Sequence, residues 1–187
     1  MLVLASASPR RQELLRNACI PFVAQPTDIP EVPRDGEAPR SFAERLAREK
    51  ALAVFRQQPD DVILGADTIV VVDAQILGKP RDDVDAARML RLLSGRTHQV
   101  ITGVCLVGPQ PRAEDIRSET TLVTMDALSH DHIRSYILTG EPMDKAGAYA
   151  IQGIASRWVS RIEGDYFNVV GLPISLVYKM LRERSVA

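Results

Sequence analysis

Asp67 is a carboxylate within an otherwise apolar, strand-like stretch, VILGADTIVVV. Burying an ionised carboxylate in such a run is unfavourable unless the group is hydrogen-bonded, ion-paired or bound to a metal. A carboxylate held on a rigid strand suits a general base or a Mg²⁺ ligand. Gly65, two residues earlier, would allow a bend or the close approach of another group. The alternative is a structural aspartate at a bend between two strands.

Arg10 and Arg11 place positive charge at the start of a predicted helix. Ser8 is a typical N-cap residue and Pro9 suits the first helical position. The helix dipole is positive at this end and disfavours cations there. Helix N–H groups together with guanidinium groups favour an anion such as phosphate, so the pair indicates an anion site. The alternative is that both arginines point into solvent or pair with acids such as Glu13.

Lys50 lies on the apolar face of the next predicted helix. The i, i+4 spacing of Leu46, Lys50 and Val54 places the lysine in a stripe of core side chains. Either its ammonium group serves a buried site, or the side chain snorkels, with its stem packed and its charge in water.

Two predicted loops carry further polar side chains. They are Lys79 in LGKPRD, and Asp144, Lys145 and Gln152 in EPMDKAGAYAIQG. Several cations, one carboxylate in an apolar run and glycine-containing loops together suggest a polyphosphate site with a metal. The three histidines lack zinc-ligand spacing, and the sequence has no P-loop, no GxGxxG and no GxSxG motif.

Composition limits the classes of partner. The chain has 187 residues, a net charge of −1 and 5% aromatic residues, which argues against a nucleic-acid-binding module. No apolar run approaches the roughly 18 residues of a membrane span, and the N-terminus does not resemble a signal peptide. We therefore expect a cytoplasmic protein that does not bind membranes. Cys19 and Cys105 lie in apolar patterns and are predicted to be buried, reduced thiols.

Hydrophobic periodicity predicts an α/β or α+β domain with a mixed sheet, because strands and helices mix without strict alternation. Helices are predicted from Ser8-Pro9 until before Pro21, from a Ser41–Glu44 capping box to about Arg56, from Asp82 to Gly95, over Ser129–Leu138 and from Pro173 to Arg184. Strands are predicted over Leu2–Ala5, Val62–Leu64, Thr68–Val72, Ile76–Leu77, 98–108 and Thr120–Met125, with a hairpin of Trp158–Ile162 and Tyr166–Val170. Residues 26–40 and 141–153 are predicted loops.

The sequence resembles the Maf family of nucleoside triphosphate pyrophosphatases. The resemblance rests on LASASPRRQELL, RLAREKA, LGADTIVVV, GKPRD, MLRLLSGRTHQVITGV, EPMDKAGAYAIQG and GDYFNVVGLP, which span nearly the whole chain in the order of the family. It implies a single domain over residues 1–187, with two lobes around a central cleft and a fold like that of the inosine triphosphatases. It also implies a homodimer and hydrolysis of a nucleoside triphosphate to the monophosphate and pyrophosphate with Mg²⁺ or Mn²⁺.

The resemblance assigns roles to individual residues. Asp67 would accept a proton from the attacking water, and Glu31 would help with the metal or the water, so these two carboxylates are the implied metal ligands. The implied phosphate-binding residues are Ser8, Arg11, Lys50 and Lys79. The family often has two adjacent acids here, whereas Pro30 precedes Glu31 in this chain.

Base recognition divides the family. A branch that acts on 7-methyl-GTP carries Trp, Gln and Glu where this chain has Arg10, Thr68 and Gln152, and the residues found here match the dTTP/UTP branch. Met125 and Asp126 depart from the aromatic residue and arginine that are frequent in the family. The physiological substrates could include modified pyrimidine nucleotides, which a house-cleaning enzyme removes before incorporation. The alternative function is a nucleotide-binding regulatory protein linked to cell division, without turnover.

Overall fold

The computed structural model describes residues 1–109 and 114–184, and the chain divides into two compact units. Unit 1 comprises Met1–Thr68, Thr102–Glu119 and Gly171–Ala187, and unit 2 comprises Ile69–Ile101 and Thr120–Val170. In the described residues the strands are β1 (Leu2–Leu4), β2 (Val23–Ala24), β3 (Val62–Val72), β4 (Gln75–Leu77), β5 (Thr97–Val107), β6 (Glu114–Met125) and β7 (Val159–Glu163). The α-helices there are α1 (Pro9–Asn17), α2 (Pro39–Phe55), α3 (Asp83–Leu93), α4 (His130–Ile137), α5 (Tyr166–Val170) and α6 (Ile174–Glu183).

The strands form one mixed sheet in the order β2-β1-β3-β5-β6-β7, with β4 paired to β3. Strand β1 is parallel to both β2 and β3, whereas β4 runs antiparallel to β3 and β7 antiparallel to β6. The predicted α/β class with a mixed sheet is therefore confirmed. That the whole chain is one domain remains a prediction.

Helix α2 packs against the sheet of unit 1 through two glycines. A Cβ atom at Gly65 would lie 2.1 Å from the backbone oxygen of Ala47, and one at Gly103 would lie 2.3 Å from that of Ala43. The close approach predicted at Gly65 is confirmed, but the bend is not, because β3 continues unbroken from Val62 to Val72. This contact brings the C-terminal half of α2, with Lys50, alongside β3.

Gly103→Ala is expected to lower the free energy of unfolding by about 1–3 kcal/mol, because the new methyl group would overlap backbone atoms that cannot move independently. Chemical denaturation followed by circular dichroism would measure the change. The matched control is Gly78→Ala, where a Cβ would meet nothing within 4 Å and the effect should stay within about 0.5 kcal/mol. Equal effects of the two substitutions would contradict this account of the packing.

The capping box predicted at the start of α2 is wrong. The helix begins two residues earlier, at Pro39, and Phe42 N–H donates to Ala38 O at 2.9 Å. Proline fits the first helical position, where the N–H that it lacks would have no partner within the helix. Glu44 is also engaged elsewhere, because its carboxylate accepts a 2.6 Å hydrogen bond from the Ser118 hydroxyl.

The predicted hairpin after Trp158 is also wrong. Its first strand, β7, pairs with β6, and its second half folds as the helix α5. Asp165 explains the change, since its carboxylate accepts the Phe167 N–H at 2.7 Å and competes with a strand conformation. Asn168 of α5 is fully buried and donates to the Val100 carbonyl at 3.0 Å.

Other boundaries shift less. The strands predicted over Val62–Leu64 and Thr68–Val72 are one strand, and β6 begins at Glu114 rather than Thr120 because sheet pairing extends it through polar residues. The predicted loop 141–153 contains short 3₁₀ segments.

Cys105 is buried as predicted, whereas Cys19 is exposed after the end of α1. Within residues 1–109 and 114–184, no helix has both the length and the apolar character needed to cross a bilayer.

Candidate active site

Arg11 is held by three hydrogen bonds at the N-terminal end of α1. Its Nε donates to the Gly171 carbonyl at 2.8 Å, Nη1 to the Ser6 hydroxyl at 3.2 Å, and Nη2 to the Thr68 hydroxyl at 3.1 Å. Ser8 caps the helix as predicted, since its hydroxyl accepts the Arg11 backbone N–H at 3.4 Å. Arg11 therefore neither points into solvent nor pairs with a nearby acid. A guanidinium has five N–H donors, so two remain for a ligand after these three bonds.

Lys50 binds two carboxylates. Its Nζ lies 2.6 Å from Asp67 Oδ1 and 2.6 Å from Glu31 Oε1. The residue is only 8% exposed and Asp67 only 4%, so the snorkelling alternative is wrong and Asp67 is a buried, ion-paired carboxylate. The alternative interpretation placed Asp67 at a bend between two strands, and that bend is absent because Asp67 lies inside the continuous strand β3.

Opposing effects act on the pKa values of this cluster. Burial raises the pKa of Asp67, while the positive charges of Lys50 and Arg11 act to lower it. Burial lowers the pKa of Arg11, while the negative charges of Asp67 and Glu31 act to raise it. Arg11, Asp67 and Glu31 therefore interact electrostatically with one another.

The segment that carries Glu31 is fixed by an arginine that sequence analysis missed. Arg45 of α2 donates to both carboxylate oxygens of Glu37, at 2.6 and 2.7 Å, and to the Val32 carbonyl at 3.0 Å. These bonds attach the polypeptide beside Glu31 to the helix that carries Lys50. The sequence indicates only the i, i+4 pair of Arg45 with Glu49.

The hydroxyl of Thr68 contacts three other residues of unit 1. Its Oγ1 lies 3.1 Å from Arg11 Nη2, 2.9 Å from Thr102 Oγ1 and 3.2 Å from the Gly171 carbonyl. Arg10, one residue before Arg11, is half-buried, and its charge contributes to lowering the pKa of Arg11.

Lys79 and Gln152 both lie exposed in unit 2. The loop of Gln152 is held by Glu141, whose carboxylate accepts from the Tyr136 hydroxyl at 2.8 Å and from Ile154 N–H at 3.0 Å. Sequence analysis missed Tyr136 and Glu141, because no helical or strand spacing relates them to Gln152. Their contacts preorganise the loop that carries a predicted specificity residue.

His98, on β5, contacts Tyr149 in the loop that also carries Gln152. Its Nε2 and the Tyr149 hydroxyl lie 2.8 Å apart, and burial lowers the pKa of His98 to about 4. Between about pH 6.5 and 4 the unfolded chain binds a proton that the folded chain does not, so stability falls as the pH falls through this range. The contribution of His98 to this fall is expected to reach about 3 kcal/mol.

His98→Gln removes this titration and should flatten the pH dependence of the free energy of unfolding, measured by denaturant titration at pH 7 and pH 4.5. His130→Gln is the matched control, because His130 is exposed at the start of α4. The control should retain the wild-type pH dependence. A His98→Gln protein with the wild-type slope would contradict the assigned burial effect.

The carboxylates fit a divalent cation that arrives with a phosphate ligand. Mg²⁺ is commonly held by one or two carboxylates together with phosphate oxygens and waters. Asp67 and Glu31 provide two carboxylates, and Lys50 occupies one oxygen of each. The described residues contain no group of three or more His, Cys, Asp or Glu side chains that could hold a metal by themselves. Asp67 and Glu31 therefore supply the kind of donors with which Mg²⁺ binds when phosphate oxygens and waters complete its coordination.

The described residues thus form a mixed α/β sheet that carries a buried lysine–carboxylate cluster and, in electrostatic interaction with it, an arginine at a helix N-terminus, which is a position that favours anions. The fold is similar to that in "The structure of the Staphylococcus aureus Ham1 protein", with a TM-score of 0.55, 14% identity and 98% coverage of both chains. A family model described as "Maf-like protein" matches residues 1–184, and the chain belongs to the Maf family.

Relatives in this family match over nearly their whole length. A "dTTP/UTP pyrophosphatase" of Koribacter versatilis (strain Ellin345) is 60% identical over 99% of this chain and 95% of its own. One of Syntrophomonas wolfei is 54% identical over 97% of this chain and 96% of its own, and one of Symbiobacterium thermophilum is 51% identical over 97% and 93%.

Proposed function

We propose that this protein hydrolyses dTTP and UTP to the nucleoside monophosphate and pyrophosphate. The observation that carries the proposal is the buried Asp67 carboxylate, bonded to Lys50 and within electrostatic reach of Arg11. The substrate class is supported by the names of the relatives at 51–60% identity over almost the whole chain.

In the proposed mechanism, Asp67 takes a proton from a water molecule that attacks phosphorus, and the phosphoanhydride bond breaks to release pyrophosphate. Burial suits Asp67 to this role, because a raised pKa makes its carboxylate a stronger base. Arg11 and Lys50 place positive charge where negative charge builds up on the departing pyrophosphate. The hydrogen bonds to Arg11 keep its guanidinium in place before the substrate arrives.

Asp67 and Glu31 would hold a divalent cation, Mg²⁺ or Mn²⁺, which when bound would neutralise phosphate charge that otherwise repels the attacking oxygen. Ser8 and Lys79 are proposed to bind phosphates as well. Arg10 and Gln152 are proposed to discriminate pyrimidine bases. The homodimer implied by the family resemblance also belongs to this proposal, and analytical ultracentrifugation would test it.

The proposal is tested with a panel of dTTP, UTP, CTP, GTP, 7-methyl-GTP and a modified pyrimidine triphosphate, each with and without Mg²⁺ or Mn²⁺. Pyrophosphate release should be fastest with dTTP and UTP and should stop when EDTA removes the cation. A regulatory protein without turnover would bind nucleotide in calorimetry but release no pyrophosphate. That result would reject the proposed enzyme activity.

A further inference from the structure

The hydroxyl of Thr68 is already fully used by the protein. A threonine hydroxyl has one hydrogen to donate and two lone pairs that accept. Arg11 Nη2 can only donate to it, and the Gly171 carbonyl can only accept from it. The Thr102 hydroxyl, 2.9 Å away, supplies the remaining hydrogen. Each hydrogen-bonding position of Thr68 Oγ1 therefore has a partner within unit 1.

A hydroxyl in this state has no hydrogen bond left for a pyrimidine base. We infer that Thr68 is a positioning residue for Arg11 and does not read the base. This inference rests on the proposed function, and it changes the role that the family resemblance implies for Thr68.

The geometry around Arg11 explains what Thr68 does. The three nitrogens of the guanidinium are each held by a different acceptor: Nε by the Gly171 carbonyl, Nη1 by the Ser6 hydroxyl and Nη2 by the Thr68 hydroxyl. Three acceptors around a rigid, planar group determine both its position and the orientation of its plane. The remaining N–H donors thus have fixed directions before a phosphate binds, which lowers the entropy lost on binding.

Thr102 belongs to the same arrangement. It is fully buried on β5, and its contact with Thr68 joins two neighbouring strands of the sheet. The carbonyl oxygen of Gly171 completes this arrangement, because it accepts hydrogen bonds from both Arg11 and Thr68. The Arg11 orientation thus depends on hydroxyl groups that need not touch the substrate.

The test separates phosphate binding from base recognition by using inorganic tripolyphosphate, which has no base. Thr68→Val preserves the shape of the side chain but removes the hydroxyl that accepts from Arg11. We expect roughly 10-fold weaker binding of tripolyphosphate, as for the loss of a hydrogen bond to a charged group. The kcat/KM values for dTTP, UTP and CTP should fall by one common factor, so the ranking of the bases stays unchanged. Thr68→Ser should restore both quantities.

Thr97→Val is the matched control, because Thr97 and Thr124 form a similar hydroxyl pair at 2.8 Å in unit 2. It should leave tripolyphosphate binding and kcat/KM at wild-type values. In an Arg11→Met background, Thr68→Val should not weaken tripolyphosphate binding further. If Thr68→Val instead damages the fold in general, it should weaken binding in that background as well. If Thr68→Val does not fold, Thr102→Val serves as a second variant. It should weaken tripolyphosphate binding and lower kcat/KM in the same direction, by smaller factors.

Two results would overturn the inference while leaving the proposed function intact. One is a Thr68→Val enzyme that binds tripolyphosphate like the wild type but loses its preference for dTTP and UTP over CTP. The other is a Thr68→Val substitution that weakens tripolyphosphate binding as much in the Arg11→Met background as in the wild type. The proposed function itself fails only if the wild type releases no pyrophosphate from dTTP or UTP.

Discussion

Asp67→Asn is expected to lower the turnover of dTTP by on the order of 10²–10⁴-fold, the usual effect of removing a positioned general base. The amide oxygen of asparagine can still accept the hydrogen bond from Lys50, but the amide cannot take a proton from water. Nucleotide binding should persist, because Arg11 and Lys50 keep their positive charges. Single-turnover pyrophosphate release gives the chemical step, and titration calorimetry with dTTP gives the affinity.

Asp73→Asn is the matched control. Asp73 is exposed in the turn after β3 and pairs with Arg96 at 2.5 Å, so its loss should leave turnover unchanged. An Asp67→Asn enzyme with wild-type turnover would reject Asp67 as the base. Loss of nucleotide binding together with turnover would instead indicate a role in binding.

Lys50→Met is expected to have the second largest effect, a fall in turnover on the order of 10²–10³-fold from loss of charge stabilisation. It should also lower the free energy of unfolding by about 3 kcal/mol, because it leaves the buried carboxylate of Asp67 without its cation. Lys50 contributes to lowering the pKa of Asp67, so the substitution should raise that pKa further. The ionised form of Asp67 is the base. As the pH is lowered, the Lys50→Met enzyme should therefore lose activity at a higher pH than the wild type does.

The pH–rate profile and denaturant unfolding measure these effects. Lys179→Met is the matched control, since Lys179 is exposed on α6 and should tolerate the change. The double variant Lys50→Met/Asp67→Asn should recover part of the lost stability, because no buried charge then lacks a partner, but it should recover no activity. A Lys50→Met enzyme with full activity would contradict the role of Lys50.

Local signals in the sequence were sufficient for several elements of the site. The Ser8 cap, the apolar stripe around Lys50 and the isolated Asp67 in β3 are all patterns of neighbouring residues. The wrong predictions of the α2 capping box and of the hairpin after Trp158 have a tertiary or side-chain origin. Glu44 binds Ser118, 74 residues away, rather than closing a capping box, and Asp165 starts a helix where aromatic and β-branched residues favour a strand.

Partners distant in the sequence could not be predicted from any spacing. Arg11 binds Gly171 across 160 positions, and Thr68 meets Thr102 across 34. Neither pair follows helical or strand periodicity, because each depends on how separate elements pack. The role of Thr68 changes for this reason, since only the structure shows which atoms already bind its hydroxyl.

The sequence by itself determined which residues are chemically unusual: arginines at a positive helix end, and a lysine and an aspartate in apolar surroundings. It could do so because desolvation and the helix dipole penalise those placements wherever the chain folds. The tertiary structure alone decided that Lys50 joins Asp67 to Glu31 and that Arg11 is held by Ser6, Thr68 and Gly171. Those contacts depend on the close packing of α2 against the sheet at Gly65 and Gly103 and on the pairing of distant strands, which no local pattern records.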